Sequence, residues 1–221
     1  MQAVPALLTN NTEEFIQQVN TFIPYFKRFS IDIIDGEFAN NLTLQVPQII
    51  DLLANEKLKL SPDVIFDFDL MVMDYQTRLD DIERIQKYVQ VENVVVYVRP
   101  LAGKPLPVKK TFNIGLSITP KDDIDELSNI YNLQELLVTQ IMTINPGFQG
   151  QVLMPNELDK IEQLRMKGYK NKIFIDGGVN DSTLPTIIAK KYKPDYLCMG
   201  SFLTKAPDIR QRVEYIDSIL K

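Results

Sequence analysis

Short apolar segments rich in valine, isoleucine and phenylalanine alternate along the chain with longer segments of helical period. The short segments are typical of buried strands, and the longer ones of amphipathic helices. The pattern predicts eight strands, at Ala3–Leu8, Ser30–Asp35, Val64–Val72, Val94–Val98, Asn113–Ile118, Leu136–Ile144, Ile173–Asp176 and Tyr196–Met199. It predicts helices at Thr12–Lys27, Val46–Asn55, Thr77–Tyr88, Asp125–Leu133, Asn156–Lys167, Ser182–Lys191 and Asp208–Leu220. Such alternation indicates successive βα units and a parallel sheet.

The number of units favours an α/β fold of the (β/α)₈ type, the TIM barrel, as one domain over residues 1–221. Such barrels typically take about 250 residues and can be built with about 200. An open, doubly wound sheet is the alternative, but it normally has a glycine-rich turn after its first strand. Here Leu8 is followed by Thr9, Asn10 and Asn11. The segment from Val98 to Phe112 contains three prolines and one glycine, which predicts a short or irregular fourth helix.

Composition excludes several kinds of chemistry. The chain has no histidine and one cysteine, Cys198, so a Ser-His-Asp triad and a histidine zinc site are both excluded. Any general acid or base acting near neutral pH must therefore be a carboxylate, a lysine or a tyrosine. The net charge of −5 argues against nucleic acid or an anionic membrane as a partner. With one cysteine and neither a signal peptide nor a long apolar span, the expected location is the cytoplasm.

Three predicted strands carry a carboxylate in an otherwise apolar run. Side chains alternate along a strand, so Asp32 shares a face with Ser30, and Asp69 shares a face with Met71. Asp176 ends the seventh strand. Buried carboxylates need a partner or a function. The structural alternative is that each caps a helix or meets a lysine. Because active sites of such barrels lie at the carboxyl ends of the strands, we expect the three aspartates to form a site there.

The turns after the last three strands are rich in glycine. Glycine allows backbone N–H groups to approach an anion closely, and barrels commonly hold phosphate at the loops after strands 7 and 8. Ordinary tight turns are the alternative. We expect a phosphate site at these turns, formed by Gly147, Phe148, Gly150, Gly177, Gly178, Gly200 and Ser201.

Several segments together resemble one family over nearly the whole chain, that of ribulose-phosphate 3-epimerase. The segments are Ile33–Phe38 with Asn41, Asp69–Val72, Asn145–Gln151, Asp176–Val179 and Gly200–Ser201. The resemblance implies that Asp32 and Asp176 are the acid–base pair that inverts C3 of a pentulose 5-phosphate through an enediolate. It implies that Met71, Met142 and Asn145 contact the substrate. By position alone, the two methionines would be assigned to the core. A phosphorylated sugar is the implied partner, and a homo-oligomer the implied assembly.

The chain departs from the family at the metal site. The family holds a divalent metal with two histidines and two aspartates, and the histidine positions are Ser30 and Asp69 here. Two outcomes are open. In the first, a Mg²⁺ or Mn²⁺ ion is bound through oxygen atoms by Asp32, Asp69 and Asp176, with the Ser30 hydroxyl. Otherwise no metal binds, and repulsion between carboxylates raises at least one pKa.

Three functions therefore remain open. The first is an epimerase interconverting D-ribulose 5-phosphate and D-xylulose 5-phosphate. The second is a catalytically degenerate relative that binds sugar phosphates, and the third is an epimerase of a different ketose phosphate. Schiff-base aldolase chemistry is disfavoured because no lysine lies inside a predicted strand, Lys172 preceding its own.

Overall fold

Eight parallel strands close into a barrel in chain order in the computed structural model, which describes residues 1–220. The strands are β1 (Gln2–Leu7), β2 (Arg28–Ile34), β3 (Ile65–Met71), β4 (Gln90–Tyr97), β5 (Asn113–Ile118), β6 (Val138–Met142), β7 (Lys172–Asp176) and β8 (Tyr196–Met199). Strand β8 pairs with β1, so the sheet has no free edge. The predicted barrel is confirmed, and the open doubly wound sheet is wrong. The end of the predicted domain, Lys221, lies outside the described residues.

Helices follow the strands and cover the outside of the barrel. They are α1 (Thr12–Phe22), α2 (Val46–Ala54), α3 (Tyr75–Ile85), α4 (Val98–Leu101), α5 (Ile124–Ile130), α6 (Asp159–Met166), α7 (Leu184–Ala189), α8 (Ser201–Thr204) and α9 (Ile209–Leu220). Short 3₁₀ turns at Leu133–Glu135 and Pro155–Leu158 precede β6 and α6. Within residues 1–220 no helix is both long and apolar enough to cross a membrane.

The ends of the helices show where local sequence decides structure. Asn11 caps α1, with its side-chain oxygen accepting hydrogen bonds from the N–H groups of Glu13 and Glu14. Helix α7 begins later than expected from Asp181 and Ser182. Asn180 instead accepts hydrogen bonds from the N–H groups of Ser182 and Thr183. The fourth helix is a single turn, as the prolines of that segment predict.

The inside of the barrel is built in layers because alternate side chains of every strand point inward. The layer nearest the amino ends of the strands contains polar contacts. There the buried Arg28 guanidinium donates two hydrogen bonds from one nitrogen to Asp67, at 2.7 and 2.9 Å. Above it lies an apolar layer of Ala6, Val95, Val138, Phe174 and Cys198. Cys198 is buried in this layer as a small apolar residue. The aspartates predicted to form a site lie above this layer.

Candidate active site

Three aspartates converge at the carboxyl end of the barrel. Strands β2 and β3 pair in a register that places Asp32 directly opposite Asp69. Asp176 ends β7 and pairs with Met142 on one side and Cys198 on the other. Each aspartate has a carboxylate oxygen within 4.8 Å of a carboxylate oxygen of the other two. All three side chains are buried, and Asp176 is the most open, at 8% exposure. The structure therefore brings together the three carboxylates predicted from strand alternation.

One oxygen of Asp69 is fixed by two buried donors. The Tyr97 hydroxyl donates to Oδ2 at 2.9 Å, and the Gln140 amide donates to the same oxygen at 2.7 Å. Burial raises the pKa of Tyr97 well above its usual value, so its hydroxyl stays protonated and remains a donor. These bonds orient Asp69 so that Oδ1 is left without a protein partner, as is Oδ1 of Asp32. The cluster thus holds two buried carboxylate oxygens that can accept a cation or a proton.

Burial and mutual repulsion favour protonation of the three aspartates. Burial is the main cause that raises the pKa of Asp32, and the charges of Asp176 and Asp69 raise it further. Burial also raises the pKa of Asp69, while its bonds from Tyr97 and Gln140 act in the opposite direction. The pKa of Asp176 is raised by burial too, and an N–H bond from Gly177 partly offsets this. With no cation bound, the cluster therefore retains protons at neutral pH, as close buried carboxyls do.

A cluster of apolar side chains packs at the carboxyl end of the barrel beside the aspartates. It consists of Ile34, Met71, Tyr97, Met142 and Ile144, all buried. Met71 and Met142 also line the cleft that leads to Asp32 and Asp176. The two methionines therefore belong both to the core and to the candidate site. Apolar side chains along the cleft limit the access of water to the carboxylates, which strengthens electrostatic interactions between the buried groups.

The glycine turns after β6, β7 and β8 form the other wall of the same cleft. Gly177 and Gly178 have φ angles of 111° and 65°, which favour glycine. A Cβ on Gly178 would lie 2.6 Å from the backbone nitrogen of Leu153, so no other residue fits there without a backbone shift. These turns place backbone close to the cleft. Each residue of the predicted phosphate site lines it: Gly147, Phe148, Gly150, Gly177, Gly178, Gly200 and Ser201.

Two predicted site residues lie elsewhere. Asn145 is exposed and lines a neighbouring opening together with Phe38, Tyr97 and Arg99. Ser30 lies one layer below Asp32 and lines a small interior cavity with Asp67 and Phe68. Their predicted roles in substrate and metal binding stay predictions.

Three glutamine and tyrosine side chains at the site were not predicted. Gln140 and Tyr97 hold Asp69, and Gln149 lines the cleft. Strand alternation carries a signal for the first two, because Gln140 shares the inward face of β6 with Met142, and Tyr97 shares that of β4 with Val95. Gln149 lies in a loop, where sequence periodicity gives no orientation.

The donor set fits a hard divalent cation. The cluster offers carboxylate oxygens from Asp32, Asp69 and Asp176, and two of these oxygens are buried without a protein hydrogen bond. Oxygen ligands are those that Mg²⁺ and Mn²⁺ prefer, whereas zinc sites usually use nitrogen and sulfur. The residues present are therefore compatible with such an ion and unlike a typical zinc site.

Fold and cluster together define a class of protein: a TIM barrel with an acidic site at the carboxyl ends of its strands. Residues 2–203 match the model of the ribulose-phosphate 3 epimerase family. The chain belongs to this family.

Relatives agree with this assignment, and a solved structure agrees with the fold. The chain is 26% identical over 196 residues to ribulose-phosphate 3-epimerase of Methanocaldococcus jannaschii, covering 84% of this chain and 76% of the relative. It is 29% identical over 161 residues to the cytoplasmic isoform of that enzyme in Oryza sativa, covering 70% and 66%. The structure of KGPDC from Streptococcus mutans in complex with D-R5P superposes with a TM-score of 0.66. That match covers 99% of this chain and 96% of the other at 11% identity, so it supports the fold alone.

Proposed function

We propose that this protein is an isomerase that inverts C3 of a ketose phosphate, with D-ribulose 5-phosphate and D-xylulose 5-phosphate as the pair. The observation that carries the proposal is the position of Asp32 and Asp176. Both are buried carboxyls of one cluster, both line one cleft, and the glycine turns form the other wall of that cleft. A sugar phosphate held by the turns would extend its carbon chain toward the two carboxyls.

Inversion at a carbon next to a carbonyl needs a base on one face and an acid on the other. Asp32 and Asp176 come from separate strands of the barrel, as that task requires. In one direction an ionised carboxylate removes the C3 proton, and the other carboxyl, protonated, delivers a proton to the opposite face. The raised pKa values of both groups support a state in which one is ionised while the other keeps its proton.

The negative charge that develops on the enediolate oxygens needs stabilisation. A divalent cation held by Asp32, Asp69 and Asp176 would supply charge neutralisation at these oxygens. Met71 and Met142 would pack against the sugar carbons and keep water from the reacting carbon. The glycine-rich turns would bind the phosphate through backbone N–H groups. A cytoplasmic location stays a prediction from the composition, and a homo-oligomeric assembly stays a prediction from the family resemblance.

Proton NMR of D-ribulose 5-phosphate in deuterated water tests the proposal. We expect deuterium to enter at C3 and xylulose 5-phosphate to appear, and a chelator to slow both if an ion takes part. Asp176→Asn is expected to lower turnover by at least about 10²-fold, since a positioned general acid or base contributes about 10²–10⁴-fold. Asp51→Asn, an exposed carboxyl on α2, is the matched control and should not change the rate.

The same experiment can separate the roles of the two carboxyls. A variant without one of them can still remove the proton that faces the other. Asp176→Asn should therefore retain exchange at C3 of one epimer while losing interconversion. Full turnover in this variant would refute the acid–base pair. Absence of exchange in the wild-type protein, with Mg²⁺, Mn²⁺ or chelator, would instead favour a relative that binds sugar phosphates without turning them over, or a different ketose phosphate.

A further inference from the structure

The side chain of Gln149 lies inside the cleft between the ends of β1 and β8. Its amide nitrogen Nε2 donates a hydrogen bond to the backbone oxygen of Ala6 at 3.0 Å. Its carboxamide packs against Gly200, so that a Cβ on Gly200 would lie 2.8 Å from Oε1 and would overlap Nε2. The space that a side chain on Gly200 would take is therefore filled by the Gln149 carboxamide.

Gly200 and Ser201 belong to the turns that we assign to the phosphate. Backbone N–H groups bind an anion only where no side chain covers them. We propose that the Gln149 carboxamide occupies part of the phosphate subsite in the free protein, and that the phosphate of the substrate displaces it. This inference rests on the proposed function, because it requires a phosphate site at these turns.

The loop that carries Gln149 is held independently of its side chain. The Asn41 amide donates to the backbone oxygen of Gly147 at 2.7 Å, and the Gln151 amide donates to those of Asn145 and Phe148, both at 2.8 Å. Among the described residues, the Gln149 side chain makes one hydrogen bond, to Ala6, and it is half-buried. Rotation of this side chain can thus clear the subsite while the loop keeps its backbone contacts.

This arrangement makes the Gln149 carboxamide a competitor of the phosphate for the subsite. To displace the carboxamide, a ligand must gain more binding free energy in the subsite than the hydrogen bond between Gln149 and Ala6 contributes. A phosphate brings several acceptor oxygens and a negative charge, and charge-assisted hydrogen bonds are about twice as strong as neutral ones. A neutral hydroxyl offers no such gain. A phosphate can therefore displace the Gln149 carboxamide, and a neutral hydroxyl cannot.

Calorimetric titration of the full chain with inorganic phosphate tests the proposal. We expect Gln149→Ala to bind phosphate about two- to tenfold more tightly than the wild type, the gain that matches the loss of one competing neutral hydrogen bond. Asn41→Ala is the matched control, because it loosens the same loop without uncovering Gly200, and it should show no gain. An equal gain in Asn41→Ala would overturn the proposal and indicate that loop mobility, not occupancy of the subsite, limits binding.

The remaining outcomes are also decisive. Weaker binding in Gln149→Ala would make Gln149 a ligand of the phosphate and refute displacement. Equal binding in the wild type and the variant would refute the role of Gln149 but leave the phosphate site in place. If neither protein bound phosphate, the phosphate site and the role of Gln149 would both be wrong. Should Gln149→Ala fold poorly, Gln149→Asn keeps the amide on a shorter side chain that reaches less far toward Ala6, and the same gain is expected.

Discussion

Asp69 shows how single residues set the chemistry of the cluster. Its Oδ2 receives hydrogen bonds from Tyr97 and Gln140, while its Oδ1 has no protein partner. Two donors on one oxygen fix the plane of the carboxyl group and lower the cost of burying its charge. Tyr97 and Gln140 are positioning residues, since they act on the cluster through Asp69.

Replacing Gln140 by leucine should disturb this arrangement without introducing a charge. We expect Gln140→Leu to weaken Mn²⁺ binding by about 10–100-fold, the usual effect of removing a partner of a metal ligand. Calorimetric titration with Mn²⁺ measures it. The same replacement at the exposed Gln134, whose amide donates to a backbone oxygen far from the cluster, should leave the affinity unchanged. Wild-type affinity in Gln140→Leu would remove Gln140 from the support of the ion site.

The site residues that could be predicted from the sequence are those whose positions follow the alternation of side chains along a strand. Asp32, Asp69 and Asp176 interrupt apolar strands at positions that face inward, so strand alternation and the barrel fold together predicted that they would meet. Gln149 has no comparable signal, because its orientation depends on a loop that reaches back to β1 and β8. Such a contact between residues 149 and 6 is set by closure of the barrel.

Among elements, the contact between β5 and β6 depends on one glycine. A Cβ on Gly115 would overlap the backbone oxygen of Val138 and its side chain. Gly115 has no positive φ angle, so the requirement is for close approach of the two strands. The sequence signal for this glycine is its place inside a predicted strand.

Gly115→Ala should therefore destabilise the protein by about 1–3 kcal/mol, the usual cost of overpacking, and by more if the strands separate. Urea unfolding followed by circular dichroism measures the change. Gly103→Ala is a suitable control: its Cβ would meet nothing within 4 Å, so it carries only the strain of its φ of 77°. A loss in Gly115→Ala no larger than that in Gly103→Ala would show that the close approach of β5 and β6 does not limit stability at this position.

The sequence predicts which helices and strands form better than it predicts where each one begins and ends. The chain was expected to remain helical to Lys27, but α1 ends at Phe22 and β2 already begins at Arg28. Arg28 enters the strand because its charge pairs with Asp67 inside the barrel. The end of α1 itself has a local signal, because Pro24 lies two residues after Phe22 and lacks the N–H group that a continuing helix would need.

At the scale of the whole molecule, the barrel collects like charges from strands far apart in sequence. Asp32, Asp69 and Asp176 are brought together only when β2, β3 and β7 join one closed sheet. Folding therefore costs electrostatic free energy whenever the three groups are ionised. Binding of protons or of a cation lowers that cost, so stability is linked to both.

The sign of this linkage follows from the raised pKa values. The pKa of Asp176 is raised to about 7 and that of Asp69 to about 8 in the folded protein, and the pKa of Asp32 is raised as well. Between the ordinary aspartate value of about 4 and these values, the folded state holds protons that the unfolded state has released. The stabilisation is complete below about pH 4 and is lost as the pH rises through about 7 to 8.

We therefore expect the melting temperature of the chelated protein to fall between pH 6 and pH 9, and Mg²⁺ or Mn²⁺ to raise it more at pH 8.5 than at pH 6. Asp69→Asn removes one of the charges, so at pH 8.5 it should melt at least about 2 °C above the wild type, the shift that about 1 kcal/mol gives in a chain of this size. Below about pH 4 the difference should become small, since Asp69 is then protonated in both the folded and the unfolded state. Asp51→Asn on the surface should follow the wild-type curve at every pH. Parallel curves for Asp69→Asn and the wild type would mean that Asp69 does not titrate in this range, and that the cluster does not govern the stability of the barrel.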